Sequence, residues 1–82
     1  MILKHPLVTE KAMMMAEREN TLQFVVDMKA TKPQIQRELE KTYEQEVGSI
    51  RTMMTPKGKK KAIVRFVKEK AAEEILSRLG IM

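Results

Sequence analysis

Residues 21–35 read TLQFVVDMKATKPQI, and residues 47–68 read VGSIRTMMTPKGKKKAIVRFVK. Together these two stretches decide the fold. In the first, Leu22, Phe24, Val26 and Met28 alternate with Thr21, Gln23 and Asp27. That period of two predicts a strand over 21–28 with one buried face. Val25 interrupts the polar side, so part of the second face is expected to be covered as well. Thr31 then offers a hydroxyl to cap a helix, and Gln34, three residues on, completes a capping-box pattern. Pro33 falls in the first turn, where a missing N–H costs little. Ile35, Leu39, Thr42, Tyr43 and Glu46 share one side of a helix predicted over 32–46, anchored by Ile35, Leu39 and Tyr43. Gly48 follows as a helix terminator or strand entry.

The second stretch predicts a hairpin. Residues 47–55 form one strand, Pro56-Lys57-Gly58 the turn, and residues 61–68 the other strand. Ala62, Val64 and Phe66 share one face of the last strand, and Ile63, Arg65 and Val67 the other. The tip is studded with lysines.

Outward from this centre, residues 2–4 predict a short strand ended by Pro6. A helix starts after Thr9, a capping residue, and ends near Asn20, with Val8, Ala12, Met15 and Ala16 along one face. Met13, Met14 and Met15 cannot all face one core, because helix neighbours are ~100° apart. At least one of the three is expected to look outward. Ala72, Ile75, Leu76 and Leu79 make a closing amphipathic helix that stops at Gly80.

A right-handed crossover from the strand at 21–28 through the helix to the strand at 47–55 sets those strands parallel. The last strand fits between them, antiparallel to both, in a split β-α-β arrangement. The expected fold class is α+β: an antiparallel four-stranded sheet with helices packed on it, in one domain over residues 1–82.

Composition narrows the function. A domain of 82 residues buries only about 60% of its unfolded surface, so a large catalytic cavity is not expected. The absence of cysteine rules out a disulfide framework and thiolate metal sites. No apolar run approaches the ~20 residues of a membrane span. The opening Met1–Pro6 lacks the apolar segment of a secretory signal, so the expected address is the cytoplasm, without membrane insertion.

The net charge is +5, and its distribution is uneven. Residues 51–70 hold eight basic residues against one acid, Glu69, a local charge of +7; the remaining residues hold eight against ten, or −2. A local excess of this kind is the footprint of a polyanionic partner. Lysines also protect exposed strand edges from aggregation, but four within residues 57–61 exceed what one edge needs.

Catalytic chemistry finds little support. His5 is the only histidine, and no nucleophile-histidine-acid set can be assembled around it. Glu38, Glu40, Glu44 and Glu46 read as a solvated helix face. No cofactor or metal site is expected. Thr55-Pro56-Lys57-Gly58-Lys59-Lys60-Lys61 lacks the spacing of a nucleotide-binding loop and precedes a strand, so that reading is rejected. The segment instead suits phosphate contact, with strongly salt-dependent affinity. Phe24, Tyr43 and Phe66 are the only aromatics, and both phenylalanines lie on core-facing stripes. A base-stacking aromatic sheet is therefore excluded, and the grip is expected on backbone and shape. At this level RNA and DNA are not separated.

The run His5-Pro6-Leu7-Val8-Thr9-Glu10-Lys11-Ala12 resembles the opening signature of the L twenty-three family of large-subunit ribosomal proteins. Asn20 to Asp27 is similar to that family's first long strand, Thr31 to Ile35 to the start of its central helix, and Ile50 to Ala62 to its basic hairpin. The matches come in the correct order and span nearly the whole chain. The resemblance implies binding to large-subunit rRNA beside the polypeptide exit tunnel, next to other ribosomal proteins. It also implies a docking surface for the signal recognition particle and the protein-conducting channel. Glu10 matches the acidic docking position, and Lys11 an RNA contact. Only a short turn joins the hairpin strands, so contact with the nascent chain inside the tunnel is not carried over, nor is trigger factor, a bacterial partner. The compact form resembles archaeal members.

The first expected RNA contacts are Lys57, Lys59, Lys60, Lys61, Arg51 and Arg65; Lys11, Lys29, Lys32 and Arg37 come second. The competing reading is a free-standing basic regulator of RNA or DNA using the same hairpin.

Overall fold

The computed structural model describes residues 2–80. Seven elements follow one another: β1 (Leu3–Pro6), α1 (Glu10–Glu19), β2 (Thr21–Val26), α2 (Lys32–Tyr43), β3 (Val47–Met54), β4 (Lys60–Phe66) and α3 (Ala71–Arg78). The sheet order is β1-β2-β4-β3, and every neighbouring pair is antiparallel. β4 thus separates β2 from β3, which run parallel to each other. The expected α+β split arrangement is observed.

One face of the sheet carries the core. Leu22, Phe24 and Val26 of β2 and Ala62, Val64 and Phe66 of β4 cluster with Ile35 and Leu39 of α2 and Ile75 and Leu76 of α3. Tyr43 packs partly buried against this cluster, its ring 5.9 Å from that of Phe24. α2 begins as its sequence requires: Gln34 donates its backbone N–H to the Thr31 hydroxyl, and the Gln34 side chain accepts from the Thr31 N–H.

β2 is buried on both faces, not one. Val25 hinted at this, but Gln23 concealed it, because a glutamine reads as solvent-facing. Its Nε2 donates to the Met15 sulfur of α1 at 2.9 Å, and Leu7 N–H bonds to the Gln23 carbonyl. The chain leaving β1 and entering α1 therefore covers part of the second face. α1 serves both sides: Ala16 joins the core cluster, and Met15 reaches Gln23.

Several boundaries differ from expectation. β1 is Leu3–Pro6, so Pro6 belongs to it; an edge strand tolerates the missing N–H. Val8 is 50% exposed because it precedes the cap and never enters the α1 stripe, and Met15 is only half-buried. β2 stops at Val26, where an Asp27 carboxylate accepting from Lys29 N–H turns the chain, leaving Met28 outside. α2 ends at Tyr43 with Glu44 in the left-handed region (φ 56°), so Thr42 and Glu46 are exposed and Gly48 is no terminator. Glu40 instead accepts from Val47 N–H and starts β3. In α3, Leu79 is exposed, lying past the last helical turn. Met14 is the outward-facing methionine of the triplet, 41% exposed.

Asn20 joins three elements. It adopts φ 55° at the end of α1, and its Nδ2 donates to the carbonyls of Phe66 (3.1 Å) and Lys68 (2.6 Å). Its Oδ1 accepts from Ala72 N–H (2.9 Å), a free donor at the start of α3. Lys70, the residue at the α3 N-cap, supplies no side-chain cap.

Candidate nucleic-acid interface

The face of the sheet opposite the core is built by register. Three cross-strand rows lie on it: Thr21–Arg65–Ser49, Gln23–Ile63–Arg51 and Val25–Lys61–Met53. Strand alternation alone would not put Arg51 there. Val47 is buried beside its partner Phe66, so Ser49 and Arg51 would follow it into the core. The register shifts between Val47 and Ser49, making Gly48 the extra residue of a bulge. That single slip turns Ile50 toward the core and Arg51 outward. Glycine suits the spot, because a Cβ there would stand 3.3 Å from the Arg65 carbonyl oxygen.

The hairpin tip is equally well specified. Thr55 and Gly58 close a turn with Pro56 at its second position, through Gly58 N–H to the Thr55 carbonyl. Gly58 adopts φ 76°, and Thr55 N–H bonds to the Lys59 carbonyl. This is a three-residue loop with glycine at its left-handed position. Lys57 and Lys59 stand exposed on it.

The expected contacts divide into separate groups. Arg51, Lys61 and Arg65 lie on the open face, and Lys11 of α1 borders it beside Thr9 and Met15. Lys57 and Lys59 crown the tip. Lys60 alternates to the core side, where its ammonium donates to the Ala30 carbonyl at 2.6 Å. It fastens the β2–α2 loop to β4. Lys29, in that loop, and Lys32 and Arg37, on α2, are exposed but belong to the helical side of the sheet. Glu10 is exposed in the first turn of α1. His5 is exposed on β1, its ring nitrogen 3.2 Å from the Pro6 carbonyl.

Arg18 was missed by sequence reasoning. It follows Met15 by three residues, which places both on one flank of α1. With Met15 it walls a groove of about 630 Å³ whose other sides include Arg51, Ile63 and Arg65.

Electrostatics favours an anion here. Residues 47–68 contain no Asp or Glu. Among the described residues the only ion pair is Lys68–Glu74, at 3.8 Å and exposed. Among the described residues, the cations of the open face and tip thus form no ion pair with a carboxylate. Asp27 sits near the tip end with its pKa lowered, first by the Lys29 backbone N–H it accepts, against a raising effect of burial, and further by the charge of Lys4.

The chain matches the family profile described as Ribosomal protein L23 over residues 1–75. It is 58% identical to the large ribosomal subunit protein uL23 of Methanospirillum hungatei, covering the whole of both chains. The chain belongs to the ribosomal protein L23 family. Two further uL23 proteins agree: that of Pyrobaculum aerophilum is 44% identical across 99% of this chain and its own full length. That of Haloquadratum walsbyi is 45% identical over 98% of this chain and 95% of its own. As an L23 protein the chain is a structural constituent of the large subunit of the cytoplasmic ribosome and not an enzyme, and its relatives are archaeal.

Proposed function

We propose that this L23 protein holds large-subunit rRNA beside the polypeptide exit through the open sheet face. Arg51, Lys61 and Arg65 grip phosphates directly, with Lys11 beside them and Lys57 and Lys59 reaching from the tip. Lys29, Lys32 and Arg37 serve a secondary contact on the helical side. Lys60 acts through the fold, by holding Ala30. The mechanism is charge neutralisation and shape fit, with no chemical step. The observation that carries the reading is the set of cations on a hairpin without an acid that form no ion pair among the described residues.

Lysine-acylation footprinting of assembled large subunits tests it. Lys57, Lys59 and Lys61 react in free protein and are shielded in the subunit. Equal reactivity in both states sinks the reading.

The same protein offers Glu10 as a docking point for the signal recognition particle and the protein-conducting channel. What supports this is an exposed carboxylate in the first turn of α1, next to an exposed Val8. Subunits carrying Glu10→Lys are expected to lose affinity for signal recognition particle while retaining rRNA. Unchanged affinity would remove Glu10 from the surface.

A further inference from the structure

The basic side chains are sorted by type. Lysines hold the tip, yet no lysine lines the groove between α1 and the open face. Three of the chain's five arginines do: Arg18, Arg51 and Arg65. A lysine is a mobile point charge suited to any phosphate. A guanidinium is a flat fork that stacks on a base and bonds in pairs to acceptors. The groove also has an apolar floor, made by half-buried Ile63 and Met15. Its volume, about 630 Å³, falls within the range of small-ligand sites.

One wall carries an acid, Glu19. A carboxylate repels a phosphodiester, so a groove meant for backbone alone gains nothing from it. It accepts hydrogen bonds, and RNA offers it two kinds of donor, the 2′-hydroxyl and the N–H groups of bases, of which only the base presents two donors side by side. Arginine forks match the O6 and N7 acceptors of guanine. The N1–H and amino group on guanine's other edge lie side by side and match a carboxylate.

We infer that this groove takes one unpaired guanosine projecting from the bound RNA, forked by Arg18 and read by Glu19, while Arg51 and Arg65 hold the phosphates that flank it. A paired base inside a helix cannot enter, because its pairing edge is occupied. The inference rests on the rRNA reading above and deepens it from phosphate contact to a base-specific pocket.

Three hairpin RNAs of equal length test it against the full-length protein: one fully paired, one with a single bulged guanosine and one with a bulged uridine. The bulged guanosine should bind roughly 10-fold tighter than either other RNA, the range of one good bidentate base contact. Glu19→Gln should reduce that preference, read as the ratio of bulged-guanosine to bulged-uridine affinity, which a general change in phosphate attraction leaves unmoved. Equal binding of all three overturns the pocket and leaves phosphate gripping intact. Equal binding of the two bulged RNAs, or a preference untouched by Glu19→Gln, overturns the guanine assignment. Failure to bind any of them overturns the rRNA reading itself.

Discussion

Replacing Asn20 is the sharpest test of how the fold is held. Its side chain makes three hydrogen bonds across long sequence separations, to Phe66, Lys68 and Ala72, and its backbone sits at φ 55°. Asn20→Gly keeps the left-handed backbone and removes the three bonds. Each is worth about 1 kcal/mol net, so the loss is about 2–3 kcal/mol, somewhat reduced by water reaching Lys68. Asn20→Ala adds about 1 kcal/mol more, the cost of a Cβ in that backbone region. For a domain of this size the glycine variant's melting temperature should fall by roughly 10–20 °C. A thermal melt reads that drop, and urea unfolding followed by circular dichroism reads the free-energy loss: the midpoint shifts and the slope stays constant. A glycine variant within about 0.5 kcal/mol of the parent would refute the argument that Asn20 ties α1, β4 and α3 together.

Lys59→Ala should weaken rRNA binding and leave unfolding within about 0.5 kcal/mol, whereas Lys60→Ala should lower stability by about 1–2 kcal/mol through the lost Ala30 bond; paired melts and binding titrations separate them. Gly48→Val should destabilise by about 1–3 kcal/mol, since its side chain meets the Arg65 carbonyl and Val67; an unchanged melting temperature would show that the bulge has room. Asp27 has a folded pKa below its ordinary 3.8, so its contribution is present above that value and is lost as pH falls through the folded one. Asp27→Asn should therefore flatten the acid side of the stability profile, and a profile identical to the parent's would contradict this.

The strand and helix periods were legible wherever one face meets the core. Ile35, Leu39, Phe24 and Val64 announce themselves by spacing, and Thr31 with Gln34 fixes the start of α2. The long-range ties were not legible. Nothing near Asn20 in sequence reveals that it caps a helix beginning at Ala71. Glu44 in the left-handed region gave no glycine signal for the end of α2. Candidate contacts were found by charge, but their facing was not. A run of lysines at 59–61 reads as one patch, yet strand alternation sends Lys60 and Lys61 to opposite sides. Arg51 faces the open side only through the slip at Gly48, which appears once the register with β4 is known.

The direct test compares two triple variants in salt titrations with an rRNA fragment: Arg51→Ala/Lys61→Ala/Arg65→Ala on the open face, and Lys29→Ala/Lys32→Ala/Arg37→Ala on the helical side. Each lost phosphate contact should flatten the dependence of log K on log salt by somewhat under one unit, so the open-face variant loses about 2–3 units of slope. The helical-side variant should change it far less. If the helical-side variant flattens the slope and the open-face variant does not, the RNA lies on the other side of the sheet and the account is wrong.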